Sequence, residues 1–232
     1  VTAFMSAATK TAALVAMLRI LVTAFPEQSD VWTIAVAVLA AVSLAWGNLG
    51  ALAQRDLKRM LAYSSISHAG FMLMAIAAYS ERGGEALLYY LVPYSAMSVG
   101  AFAVVAARER ELQAPVTLDS LAGMGWERPY HGIALWTFML GMAGFPLTGG
   151  MFGKLFVFSA AYDAGDWWLV LIGVVATAVS LGYYLNVVRW LYMRPATELR
   201  LAVAGGSPPR DSALGVAITA AVAVTVGSFF VV

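Results

Sequence analysis

The chain has 232 residues, 61% of them hydrophobic and 12% charged, with a mean hydropathy of +0.79 and a formal charge of +1. A water-soluble domain of this size carries about twice that charged fraction, so the composition marks a polytopic, all-α membrane protein. The absence of cysteine excludes disulfides, iron–sulfur clusters and thiolate metal sites, and two histidines, His68 and His131, are too few for haem or a histidine-rich metal centre.

About 20 apolar residues span the hydrocarbon core of a bilayer. On that measure seven helices are expected, near 1–25, 31–51, 58–79, 85–107, 130–162, 167–192 and 212–232, the fifth long because it is interrupted. Val1 opens directly on an apolar helix with no basic n-region, so no signal peptide is expected. The missing initiator methionine suggests a fragment of something longer. Pro26, Gly83–Gly84, Pro115 and Pro208–Pro209 are read as breakers in the connections.

Threading the loops alternately to two sides separates the charges. One side receives Arg55, Lys58, Arg59, Arg108, Arg110, Arg128, Arg194, Arg200 and Arg210. The other receives Arg82 alone, with Glu27, Asp30, Glu81, Glu85, Asp163 and Asp166. The positive-inside rule places the arginine-rich side in the cytoplasm. The first helix then runs outward and Val232 ends outside. The stretches 108–129 and 193–211 read as short cytoplasmic loops. Trp126, Trp136, Trp167, Trp168, Trp190 and Tyr192 lie mostly near helix ends, as interfacial belts do.

Against this apolar background three polar side chains stand out. Lys10 lies nine residues into the first helix, about 14 Å deep, too far for an easy reach to the interface. Arg19 lies nearer the outer end and can snorkel. His68 lies ten residues into the third helix, about 15 Å from its start. It closes the run YSSISH, in which Tyr63, Ser64, Ser67 and His68 fall along one side of a helix. Those hydroxyls can hydrogen-bond a water wire, and histidine titrates near neutrality. Lys154 follows a break at Pro146–Gly150, with Pro146, Gly149 and Gly150 as its breakers, and sits about 12 Å from an interface. A charge at the bilayer centre costs about 2.5–3.5 kcal/mol even on the lenient insertion scale. A broken helix at that depth must be satisfied by protein or by a water-filled cavity. No intramembrane acid is evident as a partner for Lys154. The three groups therefore read as a lateral proton relay near one plane. The bland alternative is a set of structural lysines paired with other helices. Gly149–Gly153 also fits G-x-x-x-G, but at a break it reads as backbone freedom. No Walker motif, dinucleotide fingerprint, nucleophile triad or metal-ligand spacing occurs.

Three stretches carry a family resemblance: Val1–Ile20 (VTAFMSAATKTAALVAMLRI), Trp46–Ala75 (WGNLGALAQRDLKRMLAYSSISHAGFMLMA) and Ala143–Phe158 (AGFPLTGGMFGKLFVF). Together they resemble subunit N of bacterial NADH:quinone oxidoreductase, respiratory complex I, an antiporter-like proton-pumping subunit related to the Mrp antiporters. The resemblance runs through nearly the whole chain and matches the second half of the family's fourteen helices. It implies two inverted five-helix repeats, of which 1–25 supplies the last helix of the first, 31–193 the complete second, and 212–232 a C-terminal helix, all in one transmembrane domain, 1–232. Lys10 takes the place of the family's eighth-helix relay lysine, His68 that of its tenth-helix histidine, and Lys154 that of the lysine on its discontinuous twelfth helix. The glutamate–lysine pair of the first repeat is absent from this chain. An acid at position 154 would have favoured subunit M.

The resemblance implies a proton-translocating membrane subunit of an oxidoreductase. No cofactor is expected in this chain; NADH, FMN, iron–sulfur clusters and quinone belong to partner subunits. Neighbouring membrane subunits, another antiporter-like subunit among them, and the lipid of a bacterial plasma membrane are the expected partners, and no nucleic acid. The rival functions are an Mrp-type cation/proton antiporter subunit and a passive structural subunit.

Overall fold

The computed structural model describes residues 2–195 and 212–231. The expected features at Val1, Arg200, Pro208–Pro209, Arg210 and Val232 lie outside the described residues. Helices make up nearly all of the described chain, beside one isolated antiparallel bridge between Asp56 and Thr117. The main helices are α1 (Lys10–Ala24), α2 (Ser29–Leu52), α3 (Leu57–Ala77), α4 (Glu81–Leu112), α5 (Pro129–Ala143), α6 (Gly149–Asp163), α7 (Trp167–Met193) and α8 (Ser212–Gly227). A single turn, Thr2–Phe4, and a π-helical segment, Met5–Thr9, lead into α1 without a break in direction. By length and composition, five spans can cross a membrane: Met5–Ala24, Pro26–Leu52, and α3, α4 and α7. The half-helices α5 and α6 are each 15 residues, too short to cross alone.

Local chemistry sets the boundaries. Asp56 caps α3 by accepting from the Arg59 amide at 2.9 Å, and Ser80 caps α4 by accepting from the Gly83 amide at 3.1 Å. That second cap corrects the reading of Gly83–Gly84 as a connection: both lie in the first turn of α4. Glu81 and Glu85 are likewise helical. At its other end α4 runs on to Leu112, so Arg108 and Arg110 belong to the helix, and Gln113 ends it in the left-handed region. The loop on the arginine-rich side therefore starts at 113. It is tied down by Leu57 N–H to the Val116 carbonyl and Leu118 N–H to the Arg55 carbonyl, both 3.0 Å. Arg108 pairs with Glu111 at 3.1 Å and donates to the Ser120 carbonyl at 3.1 Å.

Burial decides which helices are central. Two-thirds of the apolar windows of α3 and α4 are buried (67% each), against 11% for the span that holds Lys10. Helix α2 lies along α3, α4 contacts α5, α6 and α8, and α7 crosses α2 and α5. Two apolar clusters result. One, around Leu57, Phe138, Tyr184 and Val187, lies toward the arginine-rich side; the other is built on Leu44, Phe71, Leu87, Tyr94 and Val157. Pro93 sits inside α4. It removes one backbone donor and marks the level at which this helix bends most easily. Exposed Trp126 and Trp167 stand at helix ends, as interfacial residues do.

The α2–α3 contact is close because Gly47 has no side chain. A Cβ there would lie 2.9 Å from the Tyr63 carbonyl oxygen and from Ser67 Cα, both backbone atoms that cannot swing aside. Small residues of this kind allow tight helix approach where lipid supplies no hydrophobic drive. Gly47→Val is expected to destabilise the protein by about 1–3 kcal/mol, read as a lower thermal midpoint in detergent or nanodiscs; an unchanged midpoint would show that the contact is not needed.

Candidate functional site: a buried amine and histidine row

The site is built on α1, α3, α4, the α5–α6 break and α7. The break spans Gly144–Thr148, two residues upstream of the expected Pro146–Gly150. Gly144 takes φ +85° and Leu147 φ +73°, so the helix is interrupted through two left-handed residues. Pro146 lies within it, whereas Gly149 and Gly150 open α6 and serve as contact points: Pro93 Cβ would be 2.9 Å from a Cβ at Gly149.

The break delivers Lys154 to the interior. Its side chain is 4% exposed. Its ammonium donates to the Ala143 carbonyl at 3.0 Å and lies 5.0 Å from the centre of the Phe71 ring. Ala143 is the last residue of α5, so the carbonyl comes from the negative end of a half-helix dipole. Among the described residues no carboxylate lies within ion-pair distance of Lys154 or Lys10. A half-helix terminus and a ring face do the work that an acid would do elsewhere.

Lys10 is half-buried. Its ammonium donates to the carbonyl of Ser65, to Ser65 Oγ at 2.5 Å and to the Tyr94 hydroxyl at 3.0 Å. Ser6, in the π-helical segment, extends this network to Ser98 at 2.7 Å and to the Tyr94 hydroxyl at 3.4 Å. Such π-turns often mark functional sites, since they re-aim side chains within an otherwise regular helix.

His68 is buried (3% exposed) with both ring nitrogens occupied. Nδ1 lies 2.8 Å from the Tyr90 hydroxyl and Nε2 lies 3.0 Å from the Tyr184 hydroxyl, which also contacts Ser64 Oγ. The Tyr94 ring rests on the imidazole at 5.0 Å between centres. Tyr94 touches both Lys10 and His68, and Phe71 lies beside both His68 and Lys154, yet among the described residues none of the three polar groups hydrogen-bonds another. Tyr94 stands on the Lys10 side, and Phe71 and Tyr90 stand toward Lys154; Tyr90 packs beside Gly153, the residue before Lys154.

Of the supporting residues expected from YSSISH, Ser64 meets Tyr184 and Ser67 accepts from Asn48 Nδ2 at 2.9 Å. Tyr63 does not join them; its ring covers Gly50 of α2. Sequence reasoning passed over Ser65, Asn48, Tyr90, Tyr94, Tyr183 and Tyr184. A signal for two of them was available: Tyr90, Tyr94 and Ser98 recur every four residues, a polar stripe on an apolar helix.

The described helices form a polytopic membrane bundle in which a broken helix carries an enclosed lysine, with a half-buried lysine and a buried histidine on neighbouring helices. The family model for the membrane portion of NADH:quinone oxidoreductase and the Mrp antiporters matches residues 1–180, and the chain belongs to that family. NADH-quinone oxidoreductase subunit N of Salinibacter ruber is 42% identical over 236 residues, covering 99% of this chain and 47% of the relative. That of Trichlorobacter lovleyi is 42% identical over 197 residues, covering 85% and 40%. The chain thus spans under half the length of these curated relatives. A chain of respiratory complex I from Thermus thermophilus with bound aureothin superposes with TM-score 0.70 at 34% identity, covering 84% of this chain and 43% of that one. A chain of the Mrp complex from Dietzia shares the fold, with TM-score 0.81 at 20% identity over 95% of this chain and 48% of that one.

Gly144→Ala is expected to cost about 1–2 kcal/mol, because an L-residue is strained at this φ and its methyl would lie 3.0 Å from Lys154 Cδ. Thermal unfolding checks this, and equal stability of the two proteins would remove the strain argument.

Proposed function

We propose that this chain carries protons across a bacterial plasma membrane as an antiporter-like subunit, of the subunit N type, in an NADH:quinone oxidoreductase. The observation that carries the reading is Lys154: a fully enclosed amine at a helix break, held by a carbonyl and without a carboxylate partner among the described residues. Family membership and the relatives named subunit N support it. In this reading 1–25 closes a first repeat, 31–193 forms the second and 212–232 is the C-terminal helix. The arginine-rich loops face the cytoplasm, neighbouring membrane subunits flank the chain, and NADH, FMN, iron–sulfur clusters and quinone act in partner subunits.

Lys10, His68 and Lys154 hold the proton in turn. An amine between a carbonyl and a ring face exchanges a proton at modest reorganisation cost, since its partners are fixed dipoles. His68 accepts at one nitrogen and releases from the other, and the tyrosine hydroxyls on each side both donate and accept. Like charges repel strongly in a low-dielectric interior, so a proton arriving at one site favours departure from the next. Water entering between Tyr94, Tyr90 and Phe71 completes the hops. Each charge moved against 100 mV requires about 2.3 kcal/mol, which redox chemistry elsewhere in the complex supplies.

Lys154→Met is expected to reduce proton pumping in assembled complex while quinone reduction persists under uncoupled conditions. Lys154→Arg should do the same, since a guanidinium keeps its proton. Undiminished pumping in assembled complex bearing either variant would overturn the assigned role.

A further inference from the structure

The outward side of α7 is apolar along its length and carries a charge at one end. Its exposed residues Leu171, Val175, Ala178, Gly182 and Leu185 recur every three or four positions, a single helical stripe, and the stripe ends on exposed Arg189. Helix α2, which packs on α7, adds exposed Val42, Leu49 and Leu52. Gly182 keeps the cleft between the two helices open: a Cβ there would meet Leu52 Cδ2 at 3.9 Å, an ordinary contact. At the arginine-rich end of this cleft lies a pocket of about 400 Å³, lined by Gln54, Leu118, Gly182, Leu185, Asn186 and Arg189 among others.

The charge at this end has no counterpart in the protein. Among the described residues, the side chains of Arg189 and Asn186 have no hydrogen-bond or ion-pair partner. The guanidinium of exposed Arg55 has none either; Arg55 follows Gln54, and its carbonyl accepts from the Leu118 amide of the lining at 3.0 Å. Glu109, Glu111 and Asp56, on the same side, are committed elsewhere: to Lys58, to Arg108 and Arg128, and to the cap of α3. A guanidinium fork matches the paired oxygens of a phosphate. Basic pockets between membrane helices suit anionic headgroups. Half of the hydrocarbon core is about 15 Å, or ten residues of helix, and over that distance inward from Arg189 the exposed side of α7 is Leu185, Gly182 and Val179's neighbour Ala178. An acyl chain therefore meets only apolar surface below the arginine.

We propose that the cleft between α2 and α7 is a binding site for one anionic glycerophospholipid. Its phosphodiester sits between Arg189 and Arg55 and accepts from the Asn186 amide, and one acyl chain lies along Leu185, Gly182 and Leu52. The apolar track selects a lipid over free phosphate. The uncompensated pair of guanidiniums selects a glycerol-type headgroup over choline, whose quaternary ammonium would add a third cation to the same pocket. The site stands apart from Lys10, His68 and Lys154, and nothing in it depends on their role.

The membrane assembly that contains the chain is placed in phosphatidylcholine nanodiscs holding a few per cent of a photoreactive lipid, either phosphatidylglycerol or phosphatidylcholine, with a diazirine near the head of one acyl chain. Cross-links are mapped on this chain by mass. Phosphatidylglycerol is expected to label the stretch around Gly182 and Leu185 several-fold more than phosphatidylcholine. Exposed Val31 and Ile34, at the other end of α2, report general lipid contact, and the two probes should label them equally. Replacing both arginines, Arg55→Gln with Arg189→Gln, should remove the excess, and the lysine pair, Arg55→Lys with Arg189→Lys, should keep part of it. Leu185→Trp, which fills the mouth and leaves both arginines, should also remove it. Equal labelling of the cleft by the two lipids would overturn the site, as would an excess that survives the glutamine pair or Leu185→Trp. Labelling of Val31 and Ile34 with none in the cleft would show that a protein neighbour covers it, and would overturn the site as well.

Discussion

An ammonium taken out of water has to be compensated by the protein around it, and here hydroxyls, carbonyls and ring faces supply what a carboxylate usually supplies. Lys154 has a half-helix carbonyl and the face of Phe71; Lys10 has Ser65 and a phenol. A carboxylate would hold each amine as a permanent ion pair. Neutral dipoles compensate each amine without an ion pair. The break in the α5–α6 span brings a carbonyl to Lys154, and Ser65 of α3 and Tyr94 of α4 bring hydroxyls to Lys10.

The same logic explains where the polar residues lie. Central helices α3 and α4 carry His68, Ser65, Tyr90 and Tyr94, because only buried helices can present groups to one another away from lipid. Close helix approach at Gly47 lets the α3 hydroxyls meet α2 and α7 side chains. The exposed sides of α2 and α7 meanwhile remain largely apolar.

Much of this was legible in the sequence. Hydropathy placed the long apolar helices, though it cut both ends of α4 short, and the cost of burying charge drew attention to Lys10, His68 and Lys154. Reading failed where a local cap overruled composition, as at Gly83–Gly84, which Ser80 turns into a helix start. It misplaced the break, because the two left-handed residues, Gly144 and Leu147, precede the conspicuous Gly149–Gly150 pair. It also selected Tyr63 over Tyr90, Tyr94 and Tyr184. Partners on other helices are fixed by how helices cross, and spacing along one segment carries no information about that. Asn48 and Tyr183 were invisible for the same reason.

Pro93 gives α4 a mechanical property that none of its contacts has singly. The residue after it, Tyr94, holds Lys10 with its hydroxyl and covers His68 with its ring, and the start of α6 leans on Pro93 itself. Flexing of α4 at this level would therefore loosen an amine's anchor and uncover an imidazole in a single movement, with the push delivered from the segment that carries the other lysine. Such a bend would join the two amine sites mechanically through one proline.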